Sequence, residues 1–299
     1  MATTFTGLSE AKIDDVIVMA IRSILPYLGS FSTQLQHPEG LVKGNSYTVP
    51  VDGAATVADK TPGVLVSASG SLSGVPVLVD KFKGASFEAL EGSVDVRVIE
   101  AWWTKKIMST AAVVAQSVVD SALALVTAAN YGATAADVVT DADFDRDTVK
   151  AIRTAARKKL KNVGGAFICG PDVASSLIDM QQVVIAISEG RNALRDGRIP
   201  GQLLGYDAIE YVGFPANGEN LVAAVVGQSA IAVAAGAPQQ LITSGEGEVA
   251  YRRIVEEPET GLSLQYTEAV EAGGRRVAEL ALLFGVKKAQ DAVVRLVTA

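Results

Sequence analysis

The side chains able to do chemistry are few, and their spacing decides against most reactions. The chain has a single His, His37, and a single Cys, Cys169, which excludes a disulfide framework and a zinc site built from His and Cys. His37 precedes Pro38 in a segment with no helical or strand period, so no rigid element holds it as a general base. The run TDADFDRDT alternates Asp141, Asp143, Asp145 and Asp147 and opens like a calcium loop. Such a loop needs Gly at its sixth position and a bidentate Glu at its twelfth, where this chain has Arg146 and Ile152. The run reads instead as a helix entry, with Asp145 as N-cap and acidic side chains near the positive end of the helix dipole. GEGEVA at 245–250 lies between strands and reads as a hairpin turn, because a dinucleotide fingerprint must follow a strand and open a helix. No GxxxxGK(S/T) phosphate loop and no GxSxG nucleophile elbow occurs. No catalytic, cofactor-binding or metal-ligating residue is therefore assigned, and neither an enzyme activity nor a cofactor is expected.

Other conspicuous residues have structural readings. Cys169 ends an apolar strand before Gly170 and reads as a buried thiol. Trp102 and Trp103 read as anchors at the start of a long helix. Lys150, Arg153, Arg157 and Lys161 recur at steps of three and four on one helix face. That face is either solvated or in contact with an acidic neighbour or nucleic acid.

Composition bounds what such elements can build. The chain has 299 residues, 49% hydrophobic and 20% charged, with 45 Ala and 39 Val supplying over half of the apolar set. It packs through small and β-branched side chains, and its length allows one large domain or two smaller ones. A net charge of −7 argues against a whole-surface grip on nucleic acid but allows a local basic patch. The N-terminus lacks the basic region of a secretory signal. The most hydrophobic window, 221–238, is interrupted by Gln228, Ser229 and glycines, and reads as a strand and a short helix at 229–235 rather than a membrane span.

Periodicity gives the order of elements. A helix is expected over 9–25, capped by Ser9 and stopped by Pro26, with Ile13, Ile17, Ala20, Ile21 and Ile24 inward. The segment to Gly44 has no period and reads as an extended arm whose apolar residues need partners elsewhere, a neighbouring subunit being one source. Strands are expected around 47–51 and 75–79, with a Gly-, Ser- and Ala-rich excursion between them. A strand over 85–99 leads into a helix over 104–130, with Thr110, Ser117 and Ser121 away from its apolar stripe. A helix over 146–162, a strand over 166–169 and a helix over 171–182 follow, then strands at 208–212 and 221–226. The chain ends in a meander at 239–243, 248–256, 262–270, 276–284 and 292–297, with glycines in the turns.

This succession of arm, strand excursion, long helix, mixed block and meander resembles the major capsid protein of tailed bacteriophages, the Hong Kong 97 fold. KGNSYTVPV and GVPVLVDKFKG flanking the excursion, FICGPDVASSL in the mixed block and EEPETGLSLQY in the meander carry the likeness. It implies an α+β fold with an N-terminal arm at 1–42, an extended β-hairpin loop at 43–83, a peripheral domain at 84–130 and 238–299 holding the spine helix and long strands, and an α/β axial domain at 131–237. It further implies self-assembly as pentamers and hexamers into an icosahedral head enclosing double-stranded DNA with little specific contact. The protein would then reside in the virion, assembled in the host bacterial cytoplasm without membrane contact. Scaffolding, portal and decoration proteins would be separate partners, the arm being too short to hold a scaffolding segment. Subunit contacts implied by the resemblance are Phe31, His37 and Pro38 in the arm, Lys60 and Pro62 at the loop tip, and Arg191, Arg195 and Arg198 near a symmetry axis. An encapsulin-like nanocompartment shell enclosing an enzyme cargo shares this layout and stays open, as do a tail or decoration protein and, from another class, a soluble α+β enzyme.

Some shells of this type cross-link a loop Lys to an Asn of the peripheral domain. Lys60, Lys81 and Lys83 could supply the amine, but the last Asn is Asn220 and none lies in the C-terminal strands. A non-covalent shell is expected: particles boiled in detergent should run as a single monomer band, and a ladder of multimers would refute this.

Overall fold

A computed structural model describes residues 9–24, 28–29, 32–35, 40–52, 72–90, 99–132, 136–138, 144–160, 164–185, 202–203, 205–214, 218–238, 248–258, 261–271 and 275–298. Helix α1 (Glu10–Ile24) begins as its sequence dictates: the Ser9 carbonyl accepts from the amides of Lys12 and Ile13, and the Ser9 hydroxyl from the amide of Lys12. Ile13, Ile17, Ala20 and Ile21 are fully buried against the long helix α2 (Ile99–Leu123). At 1.5 Å per residue α2 is about 37 Å long. It starts earlier than expected, so Ile99, placed in a strand by its spacing, and both tryptophans are helical.

Helix α2 also ends earlier. The amides of Leu125 and Val126 bond three residues back, and Thr127 caps a one-turn helix α3 (Ala128–Tyr131), accepting from the amide of Asn130. Thr110, expected away from the apolar stripe, is buried because α2 is covered by α1 on one side and by a sheet on the other. A helix with two partners loses the clean stripe that periodicity looks for.

That sheet is built on a 14-residue strand. In chain order its strands are β1 (Ser32–Leu35), β4 (Lys81–Leu90), β10 (Ile231–Gly236), β11 (Glu248–Glu256), β12 (Ser263–Glu271) and β13 (Arg275–Lys288). Strand β13 pairs antiparallel with β4 along one edge; along the other it pairs with β12 over its first half and β10 over its second. Strand β11 extends the sheet beyond β12, and β1 lies parallel to β10. The stretch 229–235 expected as a short helix is therefore largely strand β10. Its run IAVAAG is wholly buried between two partner strands, and a short buried apolar run has no period to tell helix from strand.

The second sheet has the order β5-β14-β9-β6-β8-β7. Its strands are β5 (Ala136–Val138), β6 (Gly165–Cys169), β7 (Gln202–Leu203), β8 (Tyr206–Glu210), β9 (Leu221–Gly227) and β14 (Val293–Thr298). Helix α4 (Arg146–Leu160) precedes β6, and α5 (Pro171–Ile185) links β6 to the parallel β8. The last meander strand, β14, thus leaves the long-strand sheet and joins this one, pairing with β5 and β9. The strand expected at 239–243 lies outside the described residues.

Strands β2 (Ser46–Asp52) and β3 (Leu72–Leu78) form a separate hairpin. Its base packs Val49, Val51, Val77 and Val79 with Leu41 onto Ala232, Ala234 and Leu283 of the first sheet. Leu28 and Leu41 of the expected arm find their partners in distant parts of their own chain, where both are buried. At Gly285 a Cβ would lie 2.0 Å from the Leu78 carbonyl oxygen, so only glycine lets the hairpin cross β13 this closely. Gly285→Val should displace the hairpin base and cost about 1–3 kcal/mol, the range for overpacking. A lowered denaturation midpoint with faster proteolysis at the hairpin would show it; an unchanged midpoint would disprove the close crossing.

Candidate functional site

Three features on this frame could serve an assembly: the clamped α1 and hairpin, the junction between the sheets, and the basic face of α4. Helix α1 is held by charge as well as by its isoleucines. Arg253 of β11 donates to Asp14 (Nε to Oδ1, 2.6 Å) and to Glu10 (2.7 Å), Lys12 pairs with Glu100, and Arg22 meets the fully buried Glu257 at 2.9 Å. The exposed pairs contribute little individually. Near the hairpin, the Tyr47 hydroxyl accepts from the Val42 amide at 2.9 Å and Lys287 donates to the Pro76 carbonyl at 3.0 Å.

The junction is the turn 128–132, where α2 has ended and the chain passes to the second sheet. Three successive carbonyls there accept from three cations of different elements: Asn130 from Lys288 of β13, Tyr131 from Lys159 of α4 at 2.7 Å, and Gly132 from Arg295 of β14 at 3.1 Å. Arg295, 4% exposed, also pairs with Glu219, whose carboxylate accepts from the Ala128 amide at 2.8 Å. Lys159 also pairs with Asp291 at 2.9 Å, and the buried Tyr131 hydroxyl donates to the Ala230 carbonyl at 3.0 Å. Cations at the carbonyl end of a helical turn are favourably placed, and here they come from both sheets.

Helix α4 is fixed by its N-cap. Asp145 Oδ1 accepts from the amides of Thr148 (2.9 Å) and Asp147 (3.0 Å) and from the Thr148 hydroxyl. The Thr148 amide bond, above all, holds this carboxyl below its ordinary range. A depressed carboxylate stabilises the helix above the ordinary carboxylate pKa and loses that effect as pH falls through its own lower value. Ile152, Ala156 and Leu160 are buried against the second sheet, while Lys150, Arg153, Arg157 and Lys158 are exposed. Lys150 pairs with the exposed Asp147 at 2.7 Å, and the Arg157 guanidinium lies over the Tyr206 ring, 5.7 Å from its centroid.

The structure thus brings Lys150, Arg153 and Arg157 onto one exposed face. Lys161 lies outside the described residues, as do Phe31, His37, Pro38, Lys60, Pro62, Arg191, Arg195 and Arg198. Cys169 is buried, and burial with Glu210 nearby pushes its thiol up to about 12, which makes it a poor nucleophile. Trp103 donates to the Tyr266 hydroxyl of β12 at 3.0 Å, and both tryptophans stack edge-on against Phe87 of β4, so they anchor α2 to the sheet. Among the described residues no group of His, Cys, Asp and Glu could hold a metal, and no helix is long and apolar enough to cross a membrane. Sequence reasoning missed the junction: Lys159, Lys288, Arg295 and Glu219 lie 28 to 163 residues from their partners.

No family model and no curated protein sequence matches the chain. Its structure is similar to the mature capsid of bacteriophage PhiM1, with 12% identity, 91% of this chain and 87% of that chain covered, and a TM-score of 0.52. The capsid of Ralstonia phage GP4 is similar at 10% identity, with 90% and 89% covered and a TM-score of 0.50. The chain has the phage capsid fold. The virus-like particle from Pyrococcus furiosus is similar at 10% identity, with 96% and 98% covered and a TM-score of 0.49. The α+β, Hong Kong 97-like architecture expected from the order of elements is therefore the one observed.

In a capsid fold assembled from two sheets, the junction determines how the sheets are joined. Arg295→Met removes the donor to Gly132 and leaves Glu219 without its guanidinium. It should cost about 3 kcal/mol, in line with breaking a buried ion pair. Denaturant unfolding with hydrogen exchange at 128–132 measures it, and wild-type stability in the variant would show the junction to be dispensable.

Proposed function

We propose that the chain is the major coat protein of a phage head and assembles as pentamers and hexamers into an icosahedral shell around double-stranded DNA. The observation that carries this reading is the capsid fold shared with PhiM1 over 91% of the chain. Physical chemistry supports it. The described part of the hairpin rests on Ala232, Ala234 and Leu283 and has a small core, and an element of this kind gains stability by lying on a neighbour. Identical chains with such projections join head to tail, and a contact of that kind closes into rings when the rotation permits. In this reading the arm is 1–42, the peripheral domain 84–130 with 238–299 and the axial domain 131–237, with β10 and β14 each crossing into the other domain's sheet. The hairpin is the base of the extended loop. The role is structural rather than enzymatic and the location is the virion, with scaffolding, portal and decoration proteins supplied separately.

The test is electron microscopy of the full chain expressed alone in a bacterial cytoplasm and sized by chromatography, then repeated beside a candidate scaffold. Closed shells or capsomer rings are expected, and native particles should hold DNA. Shells holding an enzyme instead would replace the phage head with a nanocompartment, and a monodisperse compact monomer under both conditions would overturn the shell reading.

A further inference from the structure

We infer that the outer face of helix α4 is a contact for the phosphate backbone of double-stranded DNA. This inference rests on the shell reading for its biological setting but not for its physical argument. Seven of the chain's 26 basic residues fall within 146–161, against one of its 33 acidic residues, Asp147. The remainder of the chain is correspondingly more acidic, and six of the seven basic residues lie in helix α4, which is therefore strongly basic in an acidic protein. Structure sorts these residues by role. Lys159 turns inward to the junction, while Lys150, Arg153, Arg157 and Lys158 stand exposed along about 12 Å of helix. Thr154 and Ala151, also exposed, are small enough to let a backbone approach.

The choice of occupant follows from what this face lacks. A contact between protein copies is built on apolar or aromatic anchors at its centre, where Arg is enriched but Lys and Ala are depleted. The exposed large apolar residues described are Met19, Leu78, Met108, Val113, Val212 and Ile254, and none of them lies on α4. A face of Lys and Arg separated by small residues suits a polyanion whose phosphates are met one by one, without reading bases. Binding of this kind is weak at physiological salt and releases counterions, which suits a wall that holds DNA without trapping it.

The test uses the full-length protein and a short labelled DNA duplex, with binding followed by anisotropy across a salt series. Lys150→Gln/Arg153→Gln/Lys158→Gln removes three exposed charges and leaves the Asp145 cap, the buried stripe and the Arg157–Tyr206 contact intact. Lys43→Gln/Lys83→Gln/Lys105→Gln removes three exposed charges elsewhere and serves as the charge-matched control. The helix variant should bind at least about tenfold more weakly at low salt, with a log–log salt slope flatter by about 2.7, the amount for three phosphate contacts. The control should bind like wild type, and circular dichroism should be the same for all three proteins. Wild type that fails to bind, or a control that loses as much as the helix variant, overturns the inference. Shell assembly abolished in the helix variant with DNA affinity unchanged overturns it too, and assigns the face to an acidic neighbour. Binding that depends on α4 in a protein that forms no shells would sink the shell reading alone. Shells from every variant with equal DNA affinity would sink this inference alone.

Discussion

Strand β13 makes ladder hydrogen bonds along both edges, and the other strands of its sheet take their positions from it directly or through one neighbour. Over ten residues it holds β4 on one side, and on the other it hands over from β12 to β10 near Leu283. A slip of one residue would reverse the faces of Leu280, Leu282 and Phe284, all fully buried, and would shift three partner strands together. The register is thus over-determined. Helix α2 is keyed to it through Trp103, whose indole donates to Tyr266 of β12. Tyr266 in turn donates to the buried Glu268, and burial with that carboxylate beside it holds the phenol well above its ordinary pKa.

From this strand the rest is hung at points where backbones come close. Such approach is possible because the side chains are small: Ala232 and Ala234 of β10 admit the hairpin base, and Gly285 admits the Leu78 carbonyl. The abundance of Ala and Val in the sequence is the compositional trace of this packing. It stabilises through many modest contacts rather than through a few large aromatic ones.

The parts legible in the sequence are those whose partners are near in the chain or whose period is clean. Ser9 before Ile13, Ile17 and Ile21 foretells α1, and Asp145 before Ile152, Ala156 and Leu160 foretells α4. The order of strands and helices was enough to suggest the capsid fold. What escaped was set by distant partners. IAVAAG has the composition of a helix, yet it lies between β1 and β13, and nothing within six residues announces either. Thr110 lies off the apolar stripe of its helix yet is buried, because that helix packs against both α1 and the sheet. For the candidate site, the basic residues of α4 were visible as a spacing, but the inward turn of Lys159 and its role with Lys288 and Arg295 needed the tertiary structure, because each bonds a carbonyl far away in the chain.

The route of the chain before the hairpin carries one more consequence. Helix α1 is buried on α2, Ser32–Leu35 pairs with β10, and Leu41 bonds back to Ala237, so the polypeptide is sewn to its own subunit three times before β2 begins. Exchange of this segment between two copies would require all three seams to open at once. A second copy could take up this segment only by replacing partners that α1, β1 and Leu41 already have within their own chain.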